Sequence, residues 1–141
     1  MTDLSVVILA KNEKLHIKRC LKKLAPLEAR QIFVVDCFSD DGTQEIVEDF
    51  SRVEVERWRR GEGGCRGRGK CGEVRVIEHE WPGLYAKQFN WALDNLPIPA
   101  SWVLRLDADE YLYPETIEEV KRLLPKWDGE EVTAGGLPPD V

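Results

Sequence analysis

The chain has 141 residues, of which 43% are apolar and 33% are charged, a composition typical of one globular domain rather than a disordered segment. No apolar run approaches the roughly 20 residues that a membrane-spanning helix requires. The net charge of −6 is uneven, because residues 57–72 hold six of the 20 basic side chains, leaving 14 basic and 25 acidic residues elsewhere. This acidic body argues against general nucleic-acid binding.

The first element is the β-branched apolar run Leu4–Leu9, a pattern that predicts a strand buried on both faces. The N-terminus has neither a basic start nor an obvious cleavage site, so we interpret it as a strand rather than a signal peptide. We therefore expect a cytoplasmic protein with reduced cysteines.

A helix is predicted from about Glu13 to Leu24, since apolar residues recur there at helical spacing and a proline follows. A second buried strand, Ile32–Val35, runs into Asp36 and a turn-rich loop. Thr43 is a candidate cap for the helix that follows this loop.

The third strand is ambiguous because Val53–Arg57 and Val74–Glu78 have nearly the same apolar pattern. Both segments could be strands, or only one of them could belong to the sheet. Residues 57–73 between them are rich in glycine and arginine and predict a mobile, inserted loop. Contact of this loop with anionic lipid or with a diphosphate is an alternative to simple solvation.

The next predicted helix spans Leu84 to Asn95 and has an apolar face and a polar face. The predicted apolar face comprises Tyr85, Phe89, Ala92, Leu93 and Leu96. The polar face comprises Lys87, Gln88 and Asn90, which could bind a ligand or simply be solvated.

The strand Val103–Leu106 comes next and ends in Asp107, Ala108 and Asp109. A last helix is predicted from about Glu115 to Leu124. We take residues 1–128 as one domain and residues 129–141, which lack periodicity, as a flexible tail.

Strands that alternate with helices predict an α/β fold with a mostly parallel sheet. Ligands of such sheets bind beyond the carboxyl ends of the strands, where Asn12, Asp36, Asp107 and Asp109 would meet. Asp107 and Asp109 would repel each other without a cation between them, which favours a site for a divalent metal and a phosphate. The alternative is an acidic turn that caps a helix.

Four ordered motifs carry a resemblance to family 2 glycosyltransferases of the GT-A fold: Ser5–Glu13, Val34–Thr43, Trp81–Leu93 and Leu106–Glu110. The branch that these motifs resemble adds sugars to bacterial lipopolysaccharide core or surface polysaccharide. The resemblance implies a Rossmann-like sheet and inverting transfer from a nucleotide-diphospho-sugar, usually UDP-linked, with Mn²⁺ or Mg²⁺ as cofactor. It also implies a saccharide or lipid-linked saccharide acceptor and peripheral contact with the inner face of the membrane.

The resemblance also assigns roles to residues. Asn12 and Glu13 belong to the first nucleotide-sugar-binding motif, and Asp36 would contact the nucleobase or ribose. Lys87 or a neighbour on its helix would approach the nucleotide. Asp107 would contact the ribose or metal, and Asp109 would bind the metal that bridges the diphosphate.

One departure from the family concerns catalysis, for which family members use a carboxylate base downstream of the metal-binding acids. Only 32 residues follow Asp109, and none of them matches an acceptor half. We therefore expect a truncated, donor-binding GT-A domain and nominate no base. One alternative is a non-catalytic nucleotide-sugar-binding remnant. A nucleotidyltransferase is a less favoured alternative, because such an enzyme usually has a glycine-rich phosphate loop after the first strand and Lys11–Glu13 is not one.

Overall fold

The computed structural model describes residues 2–60 and 73–127, in which strands and helices alternate along the chain. In chain order the elements are β1 (Thr2–Ala10), α1 (Ile17–Leu24), β2 (Ala29–Asp36), α2 (Thr43–Arg59), β3 (Glu73–Glu78), α3 (Tyr85–Asn95), β4 (Trp102–Asp107) and α4 (Pro114–Trp127), with a 3₁₀ turn at Ala25–Leu27. No helix in these two ranges is both long enough and apolar enough to cross a membrane. Most of the predicted inserted loop and all of the predicted tail lie outside the described residues.

The four strands form one parallel sheet in the order β3-β2-β1-β4, which confirms the predicted α/β fold. Their register aligns the carboxyl ends, since Asp36 pairs with Ala10 on one side and with Glu78 on the other. Asp107 pairs with Leu9. The side chains that follow the strands therefore emerge at one edge of the sheet.

Helices cover both faces of the sheet. On one face, α1, α2 and α4 pack over a core that includes Val6 and Ile8. On the other face, α3 packs over Val7, Leu9 and Phe33. The central strand β1 thus has apolar partners on both sides, as its continuous apolar run predicts.

The ambiguity over the third strand is resolved in favour of the second copy, because β3 is Glu73–Glu78 and pairs with β2. Val53–Arg57 is instead the continuation of α2, which extends to Arg59. Side-chain pairs one turn apart support this helix. Asp49 pairs with Arg52 at 2.7 Å and Glu54 with Arg57 at 3.1 Å.

Two helices differ in extent from the prediction. Helix α1 begins at Ile17 rather than near Glu13, since the Glu13 carbonyl accepts the backbone N–H groups of His16 and Ile17 in a preceding turn. Helix α4 continues beyond Leu124 to Trp127. Both changes concern helix ends, where apolar periodicity carries little information.

Candidate functional site

A cavity of about 360 Å³ opens at the carboxyl edge of the sheet. We call it the edge cavity. Its walls come from the ends of β1, β2 and β4, the loop after β3 and the first turn of α3. The residues that line it are Leu9, Ala10, Lys11, Glu13, Val35, Cys37, Trp81, Tyr85, Gln88, Asp107, Ala108 and Asp109.

The acids after β4 are held in a tight turn. Ala108 is buried, and its backbone N–H donates to the Leu9 carbonyl at 3.1 Å, which continues the pairing with β1. Glu110 accepts the backbone N–H of Asp107 on its side-chain oxygen at 2.8 Å. Glu110 thus closes the turn on the last residue of β4, whereas Asp107 and Asp109 both line the edge cavity.

Asp107 has an unusual electrostatic position. Its Oδ1 atom is buried and has no hydrogen-bond partner, and the Arg105 guanidinium lies 3.9 Å away. Burial, reinforced by the negative charges of Glu110 and Asp109, raises the pKa of Asp107, which Arg105 opposes. A buried carboxylate oxygen that accepts no hydrogen bond from the described residues, and that lies beside other acids, is suited to receive a cation in addition to the Arg105 guanidinium. The residues therefore fit the metal that the family implies.

A complete metal cage does not accompany these acids. Across residues 2–60 and 73–127, no group of three or more His, Cys, Asp and Glu side chains is arranged to hold a metal ion. Mg²⁺ in proteins often uses one or two carboxylates and completes its shell with water and substrate phosphates. Asp107 and Asp109 can provide that smaller ligand set.

Asp36 is engaged by the protein itself. Its carboxylate is fully buried and accepts hydrogen bonds from the Ser39 backbone N–H at 2.8 Å and the Ser39 hydroxyl at 2.6 Å. The side-chain amide of Gln44 donates a third bond at 2.7 Å. Asp36 thus folds the loop after β2 and does not line the edge cavity; its contact with a nucleoside stays a prediction.

Asn12 and Glu13 join the loops that follow β1 and β2. Asn12 has a positive φ of 52°, and its side-chain oxygen accepts the Asp40 backbone N–H at 3.0 Å. The Glu13 backbone N–H donates to the Thr43 hydroxyl at 2.9 Å. Of these two predicted site residues, only Glu13 lines the edge cavity.

The loop after β2 also prepares the start of α2. The Asp41 carboxylate accepts the backbone N–H and the hydroxyl of Thr43, at 3.1 and 2.5 Å. The Thr43 hydroxyl bond and the backbone bonds from Lys14 and Thr43 hold the pKa of Asp41 below its usual range. Thr43, the predicted cap, is the first residue of α2, and the Asp41 carboxylate accepts its backbone N–H at this helix start.

The buried face of α3 differs from the prediction. Tyr85 is 57% exposed and Leu93 is 41% exposed, whereas Gln88 is buried at 1% and lines the edge cavity. The Gln88 carbonyl oxygen lies 2.7 Å from Nδ1 of His79, and the His79 ring stacks on Trp91 at 3.7 Å. A glutamine can be buried here because His79 satisfies its oxygen.

The edge cavity brings together three of the six predicted site residues, Glu13, Asp107 and Asp109. Asn12, Asp36 and Lys87 do not line it, and Lys87 is exposed on the outer side of α3. Four residues that line the cavity were not among the predicted site residues: Lys11, Cys37, Trp81 and Tyr85. Gln88 was predicted as one of the polar α3 side chains that could bind a ligand, and it lines the cavity. Because Lys11 directly follows β1, its position in the sequence could have indicated a basic group at this edge of the sheet. In the structure, the Lys11 Nζ atom donates a hydrogen bond to the Phe38 carbonyl at 3.0 Å.

In open parallel α/β sheets, ligands bind beyond the carboxyl ends of the strands, which is where the edge cavity lies. The sequence matches the family model for glycosyl transferase family 2 over residues 5–134, and the chain belongs to that family. No curated protein of known function matches the sequence.

Two crystal structures of S. aureus TarS 1-349 are similar in fold. The complex with UDP-GlcNAc has a TM-score of 0.61 and 24% identity and covers 98% of this chain and 37% of that one. The second TarS 1-349 structure has a TM-score of 0.60, 24% identity and coverages of 98% and 38%. The fold is thus the Rossmann-like GT-A type, and the chain spans less than two fifths of the TarS 1-349 length.

Proposed function

We propose that the edge cavity binds a nucleotide-diphospho-sugar, with a UDP-sugar as the first candidate. The observation that carries the proposal is the pair Asp107 and Asp109 at the cavity wall, where the buried Oδ1 atom of Asp107 accepts no hydrogen bond from the described residues. Membership of glycosyl transferase family 2 and the UDP-GlcNAc named for the TarS complex support the choice of donor.

Asp107 and Asp109 would hold Mn²⁺ or Mg²⁺, which supplies positive charge to the diphosphate when bound. Lys11, on the same cavity wall, provides a further positive charge for the phosphates. Among the described residues, the amide nitrogen of Gln88 donates one long hydrogen bond, 3.5 Å to the His79 carbonyl, so it retains an N–H for a polar atom of the donor. Trp81 and Tyr85 give the cavity an apolar wall.

For the complete reaction we propose transfer of the sugar with inversion to a saccharide or lipid-linked saccharide of the cell envelope. This second part rests on the family alone, and it leaves the general base unassigned. Donor binding without transfer is the other candidate function. The relevant observation is that the match covers 37% of TarS 1-349, so the similarity in fold concerns only part of that protein.

Calorimetric titration with UDP-GlcNAc tests donor and metal together. We expect removal of Mn²⁺ or the substitution Asp109→Asn to weaken binding about tenfold or more, because a charge-assisted contact of about 1.5–3 kcal/mol is lost. Asp94→Asn, which removes an exposed carboxylate on α3, is the matched control and should bind as the unchanged protein does.

The outcomes separate the parts of the proposal. Equal affinity with and without Mn²⁺ would reject the metal assignment while leaving the donor site in place. Failure to bind any UDP-sugar would reject the UDP-linked donor. Release of UDP that depends on an added saccharide acceptor would show transfer, and tight donor binding without such release would support the binding-only alternative.

A further inference from the structure

Helix α1 and the turn before it carry a dense row of cations on their outer surface. Lys14, Lys18, Arg19, Lys22 and Lys23 are all exposed, and α1 has no acidic residue in its first turn. We call these five residues the α1 basic face. It is exceptional in a chain with a net charge of −6.

Helix stability does not explain this face. Cations favour the C-terminal end of a helix, where Lys22 and Lys23 lie. Lys18 and Arg19, however, lie in the first turn, where the helix dipole opposes positive charge. The helix dipole therefore does not account for cations at these two positions, although Arg19 gains a contact with the Tyr111 ring.

Neighbouring acids leave most of the face unneutralised. Lys14 and Lys18 share a shallow groove with Asp49 and Glu54 of α2. Both acids already pair with arginines of their own helix, Asp49 with Arg52 and Glu54 with Arg57. On the α4 side, Glu119 likewise pairs with Arg122 of the same helix.

Exposed apolar groups adjoin the α1 basic face. Leu15, one turn before Arg19, is 82% exposed. Tyr113 is 57% exposed and packs edge-on against Tyr111, with 5.6 Å between ring centroids. The Arg19 guanidinium lies 4.6 Å from the centre of the Tyr111 ring, which joins the aromatic pair to the basic face.

We propose that the α1 basic face, with Leu15 and Tyr113, docks the domain on an anionic lipid bilayer. Basic side chains beside exposed leucine and tyrosine form the usual composition of a peripheral membrane contact, in which cations meet lipid phosphates and apolar groups enter the interface. Because α1 follows the carboxyl end of β1, docking would place the edge cavity beside the membrane. The inference is independent of the donor proposal.

Vesicle co-sedimentation of the full chain tests this docking surface. We expect binding to vesicles of phosphatidylcholine with about a third phosphatidylglycerol, weaker binding as salt is raised, and no binding to pure phosphatidylcholine. Lys18→Glu/Lys22→Glu should weaken binding at least about 25-fold, since each cation near such a surface contributes about fivefold. Leu15→Ser should weaken it further by up to about tenfold.

Two controls address total charge and the other basic segment. Arg75→Glu/Lys126→Glu changes the net charge equally with exposed cations outside α1, and it should retain most of the binding. The variant Arg66→Ser/Arg68→Ser/Lys70→Ser tests the glycine-arginine segment and should also retain most of the vesicle binding. Circular dichroism confirms that each variant is folded.

Three results would overturn the proposal. One is absence of any preference for anionic vesicles in the unchanged chain, and another is equal loss of binding in the α1 and control reversals. The third is vesicle-independent dimerisation that Lys18→Glu/Lys22→Glu abolishes while leaving vesicle binding intact, which would assign the face to a second copy of the chain.

Discussion

Replacing Asp36 by alanine should destabilise the domain strongly, although the residue carries no ligand contact in the edge cavity. Its buried carboxylate accepts three hydrogen bonds, two from Ser39 and one from Gln44. Bonds to a charged acceptor contribute about 1.5–3 kcal/mol each, but Ser39 and Gln44 are only half-buried and recover part of this by binding water. We therefore expect a loss of about 3 kcal/mol in the free energy of unfolding.

Thermal and urea unfolding followed by circular dichroism measure this loss. At about 3–4 °C per kcal/mol for a domain of this size, the unfolding midpoint should fall by roughly 10 °C. Asp40→Ala is the matched control, because Asp40 is exposed in the same loop, and we expect a change within about 0.5 kcal/mol. A loss below about 1 kcal/mol for Asp36→Ala would refute the view that this carboxylate organises the loop.

Three further predictions concern single groups. Ser5 has a fully buried hydroxyl without a hydrogen-bond partner, so Ser5→Ala should leave the unfolding free energy unchanged or raise it by up to about 1 kcal/mol, and a clear loss in urea unfolding would contradict this. The pKa of Asp107 is raised, so its carboxylate is protonated at a higher pH than that of an ordinary aspartate, whose pKa is about 3.9. Metal-dependent donor binding should therefore weaken on acidification while the pH is still above this value. Titrations in which donor affinity falls only below that pH would contradict the prediction. Gly83 has a φ of +98° with open space around its Cβ position, so Gly83→Ala should cost about 1 kcal/mol through backbone strain alone, and an unchanged thermal midpoint would argue otherwise.

The sheet could be predicted well because strands that are buried on both faces have a simple sequence pattern, a run of apolar residues. Ile32–Val35 is a continuous apolar run and Leu4–Leu9 is interrupted only by Ser5, and each lies inside a strand of the central pair. Val53–Arg57 shows the limit of such patterns. Its alternation of valine and glutamate suits a half-buried strand, but the segment continues α2, where the Asp49–Arg52 and Glu54–Arg57 pairs stabilise a helical backbone.

The site was predictable where residues follow a strand directly and unpredictable where they depend on a partner. Asp107 and Asp109 line the edge cavity because β4 ends at Asp107. Periodicity placed Gln88 on the polar face of α3 but could not predict its burial, which depends on His79, nine residues earlier, satisfying the amide oxygen. Asp36 likewise lies where the sequence placed it, but its protein partners become visible only in the folded loop.

The strand order leaves β3 and β4 at the two outer positions of the described sheet. Outer strands present backbone donors and acceptors that can pair with a strand of another molecule, a recognised route to aggregation. Arg75 on β3 and Arg105 on β4 are both exposed, so each border carries a charge that opposes such pairing. The solubility of the isolated domain at high concentration should therefore depend on these two arginines more than on its net charge.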